Sequence, residues 1–95
     1  MTTITGHVHN PESNGPSSEI LVELLSPTNS RARLYSTEAD QSGKYNLAGV
    51  DSGSYLLFCA IWGTDTRYYW EIPVTIKQET SMHIDLLADT AQTLN

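Results

Sequence analysis

The sequence predicts an all-β protein, a single antiparallel β-sandwich of seven or eight strands. Three observations predict it. Apolar and polar residues alternate in "TITGHVH", "VTIK" and "MHIDLL", the period of a half-buried strand. Clusters of Gly, Pro, Asn, Asp and Ser punctuate the chain at intervals of roughly 8–12 residues, as in sandwiches and barrels. No window carries a convincing helical period.

The elements follow in order. "TITGHVH" puts Ile4, Gly6 and Val8 on one face and Thr5, His7 and His9 on the other. "NPESNGPSS" is a loop rich in turn formers. "EILVELLS" turns Ile20, Val22 and Leu24 to one side, with Leu21 and Leu25 on the other. Pro27 presets the backbone of the turn "PTNS". "RARLYSTE" alternates more weakly. "ADQSG" and "GVDSG" are turns on either side of a short strand, "KYNLA". "SYLLFCAIW" is the longest strand, "GTDT" its exit loop and "RYYWEI" the next strand. Pro73 is expected to interrupt before "VTIK", and "QETS" turns the chain into "MHIDLL". The expected domain covers residues 1–88, with 89–95 as a C-terminal tail of no strong preference. The expected core is Ile4, Val8, Ile20, Val22, Leu24, Leu34, Leu47, Tyr55, Leu57, Ile61, Val74, Ile76, Ile84 and Leu86.

Composition narrows the function. The 95 residues fit one domain. With 5 Lys+Arg against 11 Asp+Glu the formal net charge is −6, which argues against nucleic acid and anionic membranes as partners. No apolar run approaches the length that spans a bilayer. "MTTITGHVHN" has neither the basic region nor the apolar core of a secretory signal, so synthesis in the cytoplasm is expected, with incorporation into a virion or other particle one destination. A lone cysteine, Cys59, excludes an internal disulfide.

Glycine stands two residues before tyrosine twice, at Gly43-Lys44-Tyr45 and Gly53-Ser54-Tyr55. Glycine supplies the positive backbone angle of a tight turn, and each tyrosine opens a strand. "ITGHV", a Gly/Pro loop, "ILVELLS", "TEADQSGKYNLAGVDSGSYLLFCA" and "VTIKQETSMHIDLLA" resemble the carboxypeptidase regulatory-like domains, a branch of the transthyretin-like, Ig-like sandwiches. Thr37, Gly43, Tyr45, Leu47, Val50, Gly53 and Tyr55 fit that pattern; Ala39-Asp40 is offset from its usual Thr-Asp. The resemblance covers most of residues 3–88. It implies a rigid spacer, adhesion module or assembly adaptor, and the N-terminal domains of some phage side tail fibres look similar. Fold analogy alone licenses none of these roles.

Catalysis is not expected. The transthyretin-like hydroxyisourate hydrolases are similar around "HVHN", but the resemblance implies a His pair, an Arg and a C-terminal Tyr-Arg-Gly-Ser, and this chain ends "AQTLN". A divergent hydrolase is thus the third reading. Collagen-adhesin B-type domains, also similar, imply a first-strand Lys for an isopeptide crosslink, and only Lys44 and Lys77 exist. No Gly-x-Ser-x-Gly elbow or phosphate-binding loop is present. Cys59 alternates with Tyr55, Leu57 and Ile61 and reads as core rather than nucleophile. The aspartates of the turns read as local backbone acceptors.

His7 and His9 share one strand face, and His83 and Asp85 share another. Pairing of the first and last strands would bring the four together, and zinc accepts such a set. The plainer reading is a solvated polar sheet face, so no metal and no cofactor are expected.

"SYLLFCAIW" is the stronger anomaly. With Tyr55, Leu57, Cys59 and Ile61 inward, Leu56, Phe58, Ala60 and Trp62 face out. "RYYWEI" adds either Tyr68 and Trp70 or Tyr69 beside them. A row of large apolar side chains usually marks an interface. The expected binding set is therefore Leu56, Phe58, Trp62, Tyr68, Tyr69 and Trp70. The expected partner is protein, as a homo-oligomer or a larger assembly in which the chain is an adaptor or accessory subunit. Carbohydrate stacking on Trp62, Tyr68, Tyr69 and Trp70 is the alternative.

Overall fold

The structure, a computed structural model, describes residues 1–12, 20–28, 32–62, 65–78 and 81–94. Its strands are β1 (Thr2–His7), β2 (Ile20–Leu25), β3 (Arg33–Ala39), β4 (Lys44–Val50), β5 (Gly53–Trp62), β6 (Arg67–Ile76), β7 (Ser81–His83) and β8 (Gln92–Leu94). They form two sheets, one of order β4-β1-β7 and one of order β3-β2-β5-β6-β8. The chain is thus an all-β sandwich. All pairings are antiparallel except β1 with β7 and the Val8–Leu86 bridge, which are parallel. Most of the "NPESNGPSS" loop and half of "GTDT" lie outside the described residues.

The inner faces close on one core. Ile4, Val8, Ile20, Val22, Leu24, Leu47, Tyr55, Leu57, Ile61, Ile76 and Leu86 are buried in it, with Val74 and Ile84 packed against it. Tyr45, Val50, Cys59 and Trp70 fill the remainder. Leu34 is the exception among the expected core residues: it is 50% exposed. Tyr35, not Leu34, stands opposite the buried Leu24, so β3 runs in the other phase and Leu34 faces out. Leu25 does lie on the non-core side, opposite the outward Leu56, but is covered there and only 8% exposed. A register shift between Leu24 and Leu25 sets it opposite Arg33 and Leu56.

Two further expectations change. Pro73 does not interrupt a strand, for β6 runs from Arg67 through Pro73 to Ile76. β8 pairs only with Arg67–Tyr69; past Tyr69 one side of β6 is a sheet edge, where the missing N–H of proline forfeits no ladder bond. The segment after Leu87 is not a loose tail either. A 3-10 turn at Ala88–Thr90 leads into β8, which pairs with β6.

The two Gly-x-Tyr units do different jobs. Gly43, at φ 91°, closes the β3–β4 turn. In that turn an Asp40 carboxylate oxygen accepts from the Ser42 amide (2.9 Å), the Ser42 hydroxyl (2.7 Å) and the Lys44 amide (2.9 Å). Those bonds, the Ser42 hydroxyl foremost, hold the Asp40 carboxyl below its usual range. The Tyr45 hydroxyl then crosses the sheet to donate to the Ile84 carbonyl. The Tyr55 hydroxyl instead reaches back to the Asp51 carbonyl at 2.7 Å, pinning the second turn to its own strand.

Candidate functional sites on opposite sheets

β5 is apolar at nearly every position because its two faces serve different ends. Its inward side chains, Tyr55, Leu57, Cys59 and Ile61, are buried. Its outward ones form the spine of an exposed surface. Registry sets Glu23, Phe58 and Glu71 in one cross-strand row, Leu25, Leu56 and Pro73 in a second, and Ala60 with Tyr69 in a third. Phe58 and Tyr69 stack at 6.4 Å between ring centroids. With Arg67 and Glu71 they line a shallow depression of about 270 Å³. Trp62 is 60% exposed, and the Arg67 guanidinium lies over its ring at 4.5 Å. Leu21 and Leu34 are exposed on the same side of the sheet. Carboxylates flank this surface. Glu23 pairs with Arg33 at 3.2 Å, and Glu38 stands opposite Leu21.

Of the expected binding residues, Leu56, Phe58, Trp62 and Tyr69 share this outer face. Tyr68 and Trp70 do not. They stand opposite Ile61 and Cys59, both buried, so strand alternation turns them inward. Trp70 is 1% exposed and its indole N–H donates to the Leu87 carbonyl at 3.0 Å. It is a core anchor, not a binding residue. Tyr68 is half-buried, and its hydrogen bond with Glu12 raises its phenol above the usual range.

Cys59 carries no chemistry in the folded state. Burial, reinforced by the nearby Glu23 charge, pushes its thiol up to about 12. The thiolate is the reactive form, so the native protein should resist a disulfide exchange reagent at about pH 8. Denaturant should release one equivalent of thiol. Rapid labelling without denaturant would show that the core opens there.

The other candidate lies on the three-stranded sheet. The parallel β1–β7 register places Thr5 beside His83. The ladder continues through Ile84 N–H to the Thr5 carbonyl (2.8 Å) and Leu86 N–H to the His7 carbonyl (2.9 Å). First and last segments therefore do bring His7, His9, His83 and Asp85 together. His83 Nε2 is 2.8 Å from Asp85 Oδ1, which also accepts the His7 amide at 2.9 Å. His7 Nε2 donates to the Ser42 carbonyl, and the His7 and His9 rings are 4.2 Å apart. Among the described residues no three His, Cys, Asp or Glu side chains are placed to hold a metal ion. A cleft of about 450 Å³ opens here, lined by Thr5, His7, Lys44, Asn46 and His83 and edged by Glu38 and Asp40. Sequence reading singled out the histidines but missed Thr5 and Lys44. The strand pairing that joins them spans 78 positions, and no local pattern encodes it.

The fold has solved counterparts. The Klebsiella pneumoniae 5-hydroxyisourate hydrolase matches with a TM-score of 0.63 at 16% identity, covering 99% of this chain and 97% of that one. Chains of type II cohesin–X-dockerin complexes from Acetivibrio cellulolyticus, a C-terminal and an N-terminal interface mutant, match with a TM-score of 0.59 at 19% and 18% identity. They cover 90% of this chain, which spans about half, 53%, of theirs. At these identities the likeness is one of fold, and that fold is a transthyretin-like β-sandwich. No family profile matches the sequence, and neither does any curated protein.

Proposed function

We propose that the chain is a protein-binding module whose contact surface is the outer face of β5 and its neighbours. One observation carries the reading. Leu21, Leu34 and Trp62, three exposed large apolar side chains, share the sheet face whose centre is Leu56, Phe58 and Tyr69. A clustered apolar patch with a polar rim is the usual mark of an interface. The rim names the chemistry of the partner. Glu38 stands at the β3 edge of the face, the Glu23–Arg33 pair lies within it, and the chain carries a net charge of −6. A partner with an apolar centre and a net basic rim complements that balance, whereas a second copy would set one acidic chain against another. The Gly-x-Tyr spacing supports membership of the carboxypeptidase regulatory-like domains. Within that reading the chain serves as an adaptor or accessory subunit of a larger particle. Carbohydrate is the weaker alternative, because Arg67 already lies over the Trp62 ring that a sugar would need.

Phe58→Ser combined with Trp62→Ser tests the proposal. Trp62 is 60% exposed and Phe58 only half-buried on the outer face, so in the free protein they gain only part of the about 1.5–3 kcal/mol that full burial of such a side chain is worth, and the fold should tolerate the pair. A partner recovered from the native source is titrated against both proteins, and molecular mass is measured at micromolar concentration. The double variant should stay folded and lose the complex by tenfold or more, on the order of 1.4 kcal/mol. If it folds and still assembles, the contact lies elsewhere, for example at an open sheet edge.

A further inference from the structure

The geometry points to a second activity, on the sheet opposite the docking face: Thr5, His83 and Asp85 form a hydroxyl–imidazole–carboxylate relay that accepts an acyl group from a small neutral ester. Thr5 Oγ1 lies 3.2 Å from His83 Nδ1, and His83 Nε2 lies 2.8 Å from Asp85 Oδ1. Asp85 is a pure acceptor when ionised, so it selects the tautomer with the proton on Nε2. The Nδ1 lone pair is then left facing the threonine hydroxyl. A nucleophile, a base within reach of it and a third group orienting the base are the three parts that hydroxyl-based acyl transfer requires.

The backbone holds these parts in place. Thr5 and His83 are direct partners in the parallel register. The bonds from Ile84 N–H to Thr5 and from Leu86 N–H to His7 bracket Asp85 on both sides. The Asp85 carboxylate is further tied to strand β1 by the His7 amide at 2.9 Å. Constellations on paired strands are more precise than those on loops.

The cleft decides the substrate class. Thr5, His83 and Lys44 line the same space of about 450 Å³, within the usual range for small-molecule sites. Lys44 is the cation available to a developing oxyanion. Asp40 also lines the cleft, and the Ser42 and Lys44 donors that hold its carboxyl below the usual range keep its negative charge there. That charge disfavours anionic acyl groups.

The chemistry balances without a cofactor. Thr5 Oγ attacks the ester carbonyl carbon and its proton passes to His83 Nδ1. The carbon–oxygen bond to the leaving alcohol breaks, and that alcohol takes the proton back from Nδ1. Water then attacks acyl-Thr5 by the same route, releasing the carboxylic acid and restoring the hydroxyl. Asp85 is a positioning residue and takes no part in these proton transfers.

The test uses the full chain with p-nitrophenyl acetate, following p-nitrophenolate release and mapping acetylated peptides. The expected result is an acetyl group on Thr5 and a rate at least about tenfold above that of Thr5→Val, a fraction of what a positioned base usually contributes, because the His83 ring is open to water. Thr5→Ser should keep the activity and His83→Gln should lose it. Asp85→Asn should lower kcat with KM unchanged, and His9→Ala should change neither. If Thr5→Val fails to fold, loss of the Thr5 adduct in folded His83→Gln decides the matter. The proposal is overturned if Thr5→Val matches the parent rate. A rate no higher than that of equimolar free imidazole, or acetyl groups only on lysine or the N-terminus, would overturn it equally.

Discussion

Gly6→Ala is expected to destabilise the fold by about 3 kcal/mol or more, at the upper end of what overpacking costs. A Cβ on Gly6 would run into the Ile84 backbone carbonyl and press on the edge of the Tyr45 ring and its hydroxyl. None of these neighbours yields cheaply. The Ile84 amide is bonded to the Thr5 carbonyl, and the Ile84 carbonyl itself accepts the Tyr45 hydroxyl. Relief requires β7 to move away from β1, which unmakes the parallel ladder. For a domain of this size each 1 kcal/mol lowers the melting temperature by about 4–8 °C, so a fall of more than about 10 °C is expected. Hydrogen exchange at the Ile84 and Leu86 amides should accelerate first. A variant melting within about 2 °C of the parent would show that the Ile84 segment yields to the added methyl at little cost.

Trp70→Ala should cost about 3–5 kcal/mol. Trp70 is among the largest fully buried side chains. Its removal leaves a cavity between the sheets and takes the indole donor at 3.0 Å from the Leu87 carbonyl, which keeps only the Thr90 hydroxyl at 3.0 Å and the Thr90 amide at 3.2 Å. The 3-10 turn and β8 hang from that carbonyl, so pairing of β8 with β6 should loosen with the core. Trp70→Phe restores most of the volume but not the hydrogen bond, and should recover more than half of the loss. Urea unfolding of the three proteins separates the two contributions. If Trp70→Ala unfolds at the parent midpoint while binding fails, Trp70 belongs to the docking face and the phase of β6 is inverted.

The contrast between Trp70 and Trp62 shows what the sequence could determine. "SYLLFCAIW" alternates with inward Tyr55, Leu57, Cys59 and Ile61, and that phase follows from strand geometry alone. It made both the core and the apolar outer row legible, because each is a property of one strand. The phase of "RYYWEI" was not legible, since aromatic residues occupy both of its faces and only pairing with β5 chooses between them. Leu34 failed for the same reason: β3 is an edge strand, mostly half-exposed or exposed, and its hydrophobic pattern is too weak to set its phase.

The tertiary structure alone decided the rest. Turn chemistry at Gly43 and Gly53 is local and was readable. Gly6 looked like any strand residue, and only the arrival of β7 and the Tyr45 hydroxyl explains why a side chain is excluded there. The relay of Thr5, His83 and Asp85 likewise depends on a parallel contact between the two ends of the chain. A sequence carries alternation, turns and charge within short windows. Which strands meet is settled by closing one core over the whole chain, because no single strand can bury its apolar face without the others.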